Sequence, residues 1–146
     1  MTKITITFDN GPDPDATPGV LDTLRRHDIK STFFVLGDKL RDRRKLAEHA
    51  RDEGHWIGNH TFNHMVPLGM SAENGMAISE IARTQLLVGD LAHERRFFRP
   101  FGGGGLLDRS PLPRQVAAGL APREQIQPAR LQASLLDAVV DAPDLV

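Results

Sequence analysis

The chain has 146 residues, enough for one domain with a substantial core, and its formal net charge is −1. This near-neutral charge gives no support for binding to nucleic acid or an anionic membrane, and no apolar run reaches the roughly 18 residues that span a bilayer. Without cysteine, any metal site must use histidine, carboxylate or amide ligands. Because the chain starts as a predicted strand and not as a basic, apolar leader, we expect a cytoplasmic protein.

The first hundred residues alternate predicted strands and helices. Ile4, Ile6 and Phe8 alternate with threonines, a pattern typical of a strand, which the sequence Asn-Gly-Pro ends. The pattern then predicts a helix capped by Thr17, a buried strand over 31–37, a polar helix over 43–53 closed by Gly54, and a strand over 55–60. A further helix is predicted to begin at Ser71, and a fourth strand to cover 96–98. The buried side of the helix from Ser71 is predicted to comprise Met76, Ile78, Ile81, Leu86 and Leu87. This order predicts an α/β fold, either a parallel sheet or a barrel with right-handed crossovers.

The pattern stops after residue 101. All eight aromatic residues lie at or before that position, and five prolines interrupt the sequence beyond it. We therefore divide the chain into an α/β unit over 1–108 and an atypical tail over 109–146, which is a Pro-interrupted helical or disordered segment. Our hypothesis for the abrupt change is a shifted reading frame or a damaged gene after Asp108.

Polar groups collect where the predicted strands end. Asp9 and Asn10 follow the first strand, and His60 and His64 follow the third. Because the carboxyl ends of parallel strands meet at one edge, we expect these side chains to lie together. In a helical turn, two histidines four residues apart point to one side, where they can share a divalent cation at about 2.0–2.1 Å. Thr61 is a candidate cap of that turn and, like Asn63, a candidate to orient an imidazole.

Arg99 follows the fourth predicted strand at the same edge. An arginine there can hold the Asp9 carboxylate in a fixed orientation. The four glycines over 102–105 match neither a Walker loop nor a dinucleotide-binding fingerprint, which argues against phosphate binding.

Three motifs in this order resemble the polysaccharide deacetylases, the carbohydrate esterases with a NodB homology domain. They are residues 7–12 (TFDNGP), 54–64 (GHWIGNHTFNH) and 98–102 (FRPFG), and the resemblance extends over about residues 3–105. It implies a distorted (β/α) barrel, here only partial. It also implies hydrolysis of N- or O-acetyl groups on glycans such as chitin and peptidoglycan.

The resemblance implies a catalytic role for two residues. Asp9 would be the general base that takes a proton from the attacking water, and Arg99 would steer that base. Pro100, Phe101 and Gly102 of the third motif would contact the substrate. This motif is one residue shorter than the commoner Arg-x-Pro-aromatic-Gly form.

The resemblance also implies a divalent metal site. His60 and His64 would be its imidazole ligands, with zinc the foremost metal and cobalt or manganese as alternatives. Asn10 stands where the family has a second aspartate ligand. An amide oxygen brings no charge, so we expect weaker metal binding than at a His-His-Asp site.

The later motifs of the family are absent, including the one whose histidine protonates the leaving group, since no Trp or His follows His93. We therefore expect a loss of about 10²-fold or more in activity. One alternative is a non-catalytic remnant that binds metal, glycan or a partner chain supplying the missing strands. Another is a hydrolase of a small-molecule amide. Four strands cannot close a barrel, so the open sheet edge also predicts self-association.

Overall fold

The computed structural model describes residues 4–65, 67–68, 75–101 and 120. Three strands and three helices alternate along this part of the chain, followed by a short 3₁₀ turn over Gly89–Leu91. They are β1 (Thr7–Gly11), α1 (Thr17–Arg26), β2 (Thr32–Val35), α2 (Gly37–Asp52), β3 (Trp56–Asn59) and α3 (Met76–Val88). The predicted tail over 109–146, apart from residue 120, lies outside the described residues.

The strands form a parallel sheet in the order β1-β2-β3. This confirms the predicted α/β fold, in which α1 and α2 connect successive parallel strands. The predicted fourth strand over 96–98 is wrong as an element, because within the described residues the sheet continues beyond β3 only through single parallel bridges, Asn59 to Phe98 and Ile57 to Ala92. Both bridges nevertheless fasten the segment before Arg99 to β3.

The main core lies between the sheet and its helices. All four residues of β2 are buried, as expected for a central strand covered on both faces. The buried cluster comprises Leu21, Leu24, Phe33, Val35, Leu40, Ala47, Ala50, Ile57, Val88 and Leu91. Each large aliphatic side chain buried in this way contributes about 1.5–3 kcal/mol to stability. The sheet is therefore a firm support for the groups at its carboxyl edge.

The first strand differs from its prediction. It begins at Thr7, where pairing with Thr32 of β2 begins, and Ile4 and Ile6 before it are 85% and 39% exposed. It ends at Gly11, so Asp9 and Asn10 are residues of the strand itself and do not lie in a loop after it.

The helices also differ from their predictions. Thr17, the predicted cap of the first helix, is its first helical residue, and Ala16 occupies the N-cap position. The second begins at Gly37 and not at 43, with non-helical backbone at Arg43 (φ −137°, ψ 35°) dividing it into two segments. The N–H groups of its first two residues, Gly37 and Asp38, donate to carbonyls of the loop over 60–64. The sequence pattern does not reveal these distant acceptors. Gly54, at φ +88°, follows the end of this helix as predicted. The third helix begins at Met76, and Ser71 lies outside the described residues.

Within the described residues, no helix combines the length and apolar character needed to cross a membrane.

Candidate functional site

The Asp9 carboxylate is fixed by Arg99 at the carboxyl edge of the sheet. Nη1 of Arg99 donates to Asp9 Oδ1 at 2.7 Å and to Thr7 Oγ1 at 2.8 Å. The guanidinium carbon lies 4.2 Å from the centre of the Phe34 ring, a cation–π arrangement. One carboxylate oxygen is therefore held by Arg99, while the other, Oδ2, faces His60 Nε2 at 3.8 Å.

The main chain of Arg99 joins the same site. Its N–H donates to the Asn59 carbonyl at 3.0 Å, and the Asn59 N–H donates to the Phe97 carbonyl at 2.8 Å. The Arg99 carbonyl lies 2.6 Å from His60 Nδ1. Since a carbonyl only accepts, Nδ1 carries the proton, and in the neutral ring the lone pair is on Nε2. That nitrogen is the one that faces Asp9.

His64 completes an imidazole pair. Its ring centre lies 4.8 Å from that of His60 and 3.8 Å from that of Phe101. Burial lowers the pKa of His64, and the neighbouring His60 lowers it further. Both effects favour the neutral imidazole, the form that binds a metal ion.

Residues 60–64 do not form a helical turn, the geometry considered for the histidine pair. These residues form an irregular loop in which Thr61 and His64 have positive φ, 70° and 63°. The predicted roles of the two polar residues between the histidines also differ. The Thr61 hydroxyl is buried with no hydrogen-bond partner among the described residues, and Asn63 Oδ1 accepts from the Met65 N–H at 3.1 Å. The histidines therefore meet through loop geometry and not through helical periodicity.

The imidazole pair fits two ligands of a divalent cation, because the rings adjoin and Nδ1 of His60 is fixed by a carbonyl, an arrangement typical of metal-ligating histidine. In the described part of the chain, no group of three His, Cys, Asp or Glu residues is placed to hold a metal ion. Asn10 has φ 67°, and its carbonyl accepts from Lys39 Nζ at 2.9 Å. Its role as a ligand stays a prediction.

The third motif is only partly visible. Pro100 and Phe101 are half-buried beside the site, and Gly102 lies outside the described residues. Phe101 packs on His64. Phe62 is 8% exposed and is therefore a packing residue, not an accessible surface for a sugar.

Sequence reasoning missed three residues that support the site. Thr7 accepts a hydrogen bond from the Arg99 guanidinium that also binds Asp9. Asn59, at the end of β3, accepts from the Thr61 N–H. Glu80 accepts from the loop between the histidines. Two of them carried a usable signal: Asn59 immediately precedes His60, and Glu80 is the only acidic residue in α3.

Fold and site together define a parallel α/β protein that presents a carboxylate, a guanidinium and two imidazoles at the carboxyl edge of its sheet. The family model described as polysaccharide deacetylase matches residues 2–120. The chain belongs to the polysaccharide deacetylase family, and the resemblance seen in the three motifs is confirmed.

Named relatives agree with this family. The chain is 41% identical over 88 residues to the peptidoglycan-N-acetylglucosamine deacetylase PgdA of Listeria monocytogenes, covering 60% of this chain and 18% of that protein. It is 33% identical to a chitooligosaccharide deacetylase of Rhizobium leguminosarum bv. trifolii, covering 96% and 64%. The structure of the peptidoglycan deacetylase PdaC from Bacillus subtilis matches with a TM-score of 0.66 and 31% identity, covering 77% of this chain and 54% of PdaC. The chain thus spans less than two thirds of these relatives.

Proposed function

We propose that this chain carries part of a metal-dependent hydrolase that removes acetyl groups from N-acetylated or O-acetylated carbohydrate. The observation that carries the proposal is the Asp9 carboxylate, held by Arg99 and facing the His60–His64 pair. The names of the relatives support the substrate class, since they act on peptidoglycan or chitooligosaccharide.

Asp9 acts as the general base. Its Oδ1 is held by Arg99, so Oδ2 is the oxygen that accepts a proton from water as the water oxygen attacks the acyl carbon. Arg99 keeps the carboxylate plane fixed through the reaction. The bond from the acyl carbon to nitrogen or oxygen then breaks, and the proton passes to the leaving amine or alcohol.

His60 and His64 would hold the cation, with Asn10 as a neutral third ligand and zinc as the foremost metal. When bound, a divalent cation supplies Lewis-acid chemistry, lowering the pKa of water and polarising the acyl oxygen. The carbonyl of Arg99 fixes the His60 ring for this role.

The alternative of a non-catalytic metal-binding or glycan-binding remnant is favoured by one observation. No histidine follows His93 to act as the acid for the leaving group. We therefore expect acetate release about 10²-fold or more below that of a longer relative. A small-molecule amide is the alternative substrate.

Thermal unfolding with chelator, zinc or cobalt tests the metal site. We expect a cooperative unfolding transition in the native chain. Metal at a hundredfold excess over its Kd should raise the free energy of unfolding of the native chain by about 2.7 kcal/mol, but should not raise that of His60→Ala. His27→Ala, an exposed histidine just after α1, is the matched control and should respond like the native chain.

Acetate release from an N-acetylated oligosaccharide then separates the two functions. Asp9→Asn should abolish acetate release while metal still raises the melting temperature. Metal stabilisation with no acetate release from the native chain would support the binding remnant. The absence of metal stabilisation would contradict the proposed site altogether.

A further inference from the structure

We propose that Glu80 is a positioning residue that holds the loop presenting His60 and His64. This inference rests on the proposed function, because it assigns a role toward the same imidazole pair. Glu80 lies in α3, and its Oε2 accepts hydrogen bonds from two successive main-chain N–H groups, at 3.0 Å from Phe62 and 3.1 Å from Asn63. These are two of the three N–H groups between the two histidines.

The loop needs external partners because its backbone is irregular. Thr61 and His64 have positive φ, a conformation that residues other than glycine keep only where their surroundings enforce it. No helical hydrogen-bond ladder runs through residues 60–64 to fix the spacing of the imidazoles. The distance between the rings is therefore set by groups outside the loop.

Each N–H from residue 60 to residue 63 has an acceptor on another part of the site. The His60 N–H donates to the Val35 carbonyl at 3.0 Å, and the Thr61 N–H donates to Asn59 Oδ1 at 3.0 Å. Strand residues thus hold the first half of the loop. In the part of the chain that the structure describes, Glu80 is the acceptor of the next two N–H groups, which immediately precede His64.

The choice of a carboxylate for this role has a chemical reason. One ionised oxygen can accept two N–H groups at once, and such charge-assisted bonds are stronger than neutral ones. Glu80 is the only acidic residue of α3. One turn further along the helix, the Arg83 guanidinium lies 3.5 Å from the centre of the Phe62 ring. Helix α3 therefore contacts Phe62 at two points, the main-chain N–H of Phe62 through Glu80 and the Phe62 ring through Arg83.

The test compares Glu80→Ala, Glu80→Gln and a control, Glu48→Gln. Glu48 lies in α2 and pairs with Arg44 at 2.9 Å, away from the loop. The first readout is the nuclear Overhauser effect between the His60 and His64 rings in chelator, which requires no metal. The second is zinc affinity, measured by competition with a chelating dye.

We expect Glu80→Ala to lose the ring-to-ring signal and to raise the zinc Kd about 10-fold or more, the range typical of groups that orient metal ligands. Glu80→Gln should lose less affinity, because its amide oxygen still accepts a hydrogen bond. Glu48→Gln should match the native chain in both readouts.

Retention of the ring-to-ring signal in folded Glu80→Ala would overturn the inference, as would a lost signal with unchanged zinc affinity, which indicates a structural role alone. If Glu80→Ala does not fold, native values for both readouts in Glu80→Gln would overturn it equally. If the native chain binds no zinc, and the ring-to-ring signal seen in the native chain is lost in Glu80→Ala, the proposed function is refuted while the positioning role of Glu80 is supported.

Discussion

Arg99 connects the base and the imidazole pair through different parts of one residue. Its guanidinium holds Asp9 while lying over the Phe34 ring, and its carbonyl holds His60. The side chains of Asp9 and Arg99 are 32% and 38% exposed, so solvent screens their attraction. Such a pair contributes about 0–1 kcal/mol to stability. Its consequence is orientation of the carboxylate, not stabilisation of the fold.

Arg99→Lys tests this at a single residue. Lysine keeps the charge but lacks the planar group that donates to Asp9 while lying over Phe34. We expect acetate release to fall about 10-fold or more because the carboxylate is less well oriented. The free energy of unfolding should change by less than about 1 kcal/mol. Arg41→Lys, an exposed arginine of α2, is the control, and an unchanged rate in Arg99→Lys would refute the orienting role.

At the scale of elements, the start of α2 supports the histidine loop in addition to Glu80 of α3. The N–H groups of Gly37 and Asp38 donate to the carbonyls of Thr61 and Phe62, at 3.1 and 3.0 Å. A Cβ on Gly37 would lie 2.5 Å from the Phe62 ring and 2.5 Å from Thr84 Oγ1. Glycine at this position is therefore required for close approach of the loop to the helix.

Gly37→Ala should destabilise the chain by about 1–3 kcal/mol, because the added methyl group overpacks a buried contact. Gly19→Ala is the matched control, since a Cβ at that exposed position in α1 meets nothing within 4 Å. It should be neutral or stabilising by up to about 1 kcal/mol. Chemical denaturation of both variants measures the difference. Equal stabilities would show that the loop can move away from α2 without cost.

The sequence predicted those elements whose pattern is local. Three such features are visible in the local sequence and are present in the structure: the apolar run of β2, the short strand β3 and the helix end at Gly54. The irregular shape of the loop over 60–64 was not predictable, because it depends on acceptors in Asn59 and Glu80. Periodicity carries no information about such distant partners. The proximity of Asp9, His60 and Arg99 was nevertheless predictable, because the ends of neighbouring parallel strands meet.

For the whole molecule, β1 is an edge strand of the sheet, since among the described residues it pairs only with β2. Ile4 and Ile6 precede it with large exposed surfaces. A strand edge with unpaired main-chain groups and neighbouring apolar side chains is a template for another chain. We therefore predict that this chain self-associates through the edge of β1.

Ile6→Lys should weaken that association, because a charge beside the edge must be desolvated or repelled when two copies pair. Sedimentation velocity over a range of concentrations measures the effect, and we expect the variant to stay monomeric where the native chain forms dimers or larger species. Gly19→Lys adds the same charge to the exposed face of α1 and should associate like the native chain. If both variants reduce association equally, net charge is the cause. A native chain that stays monomeric throughout would show that the β1 edge is protected by some other part of the chain.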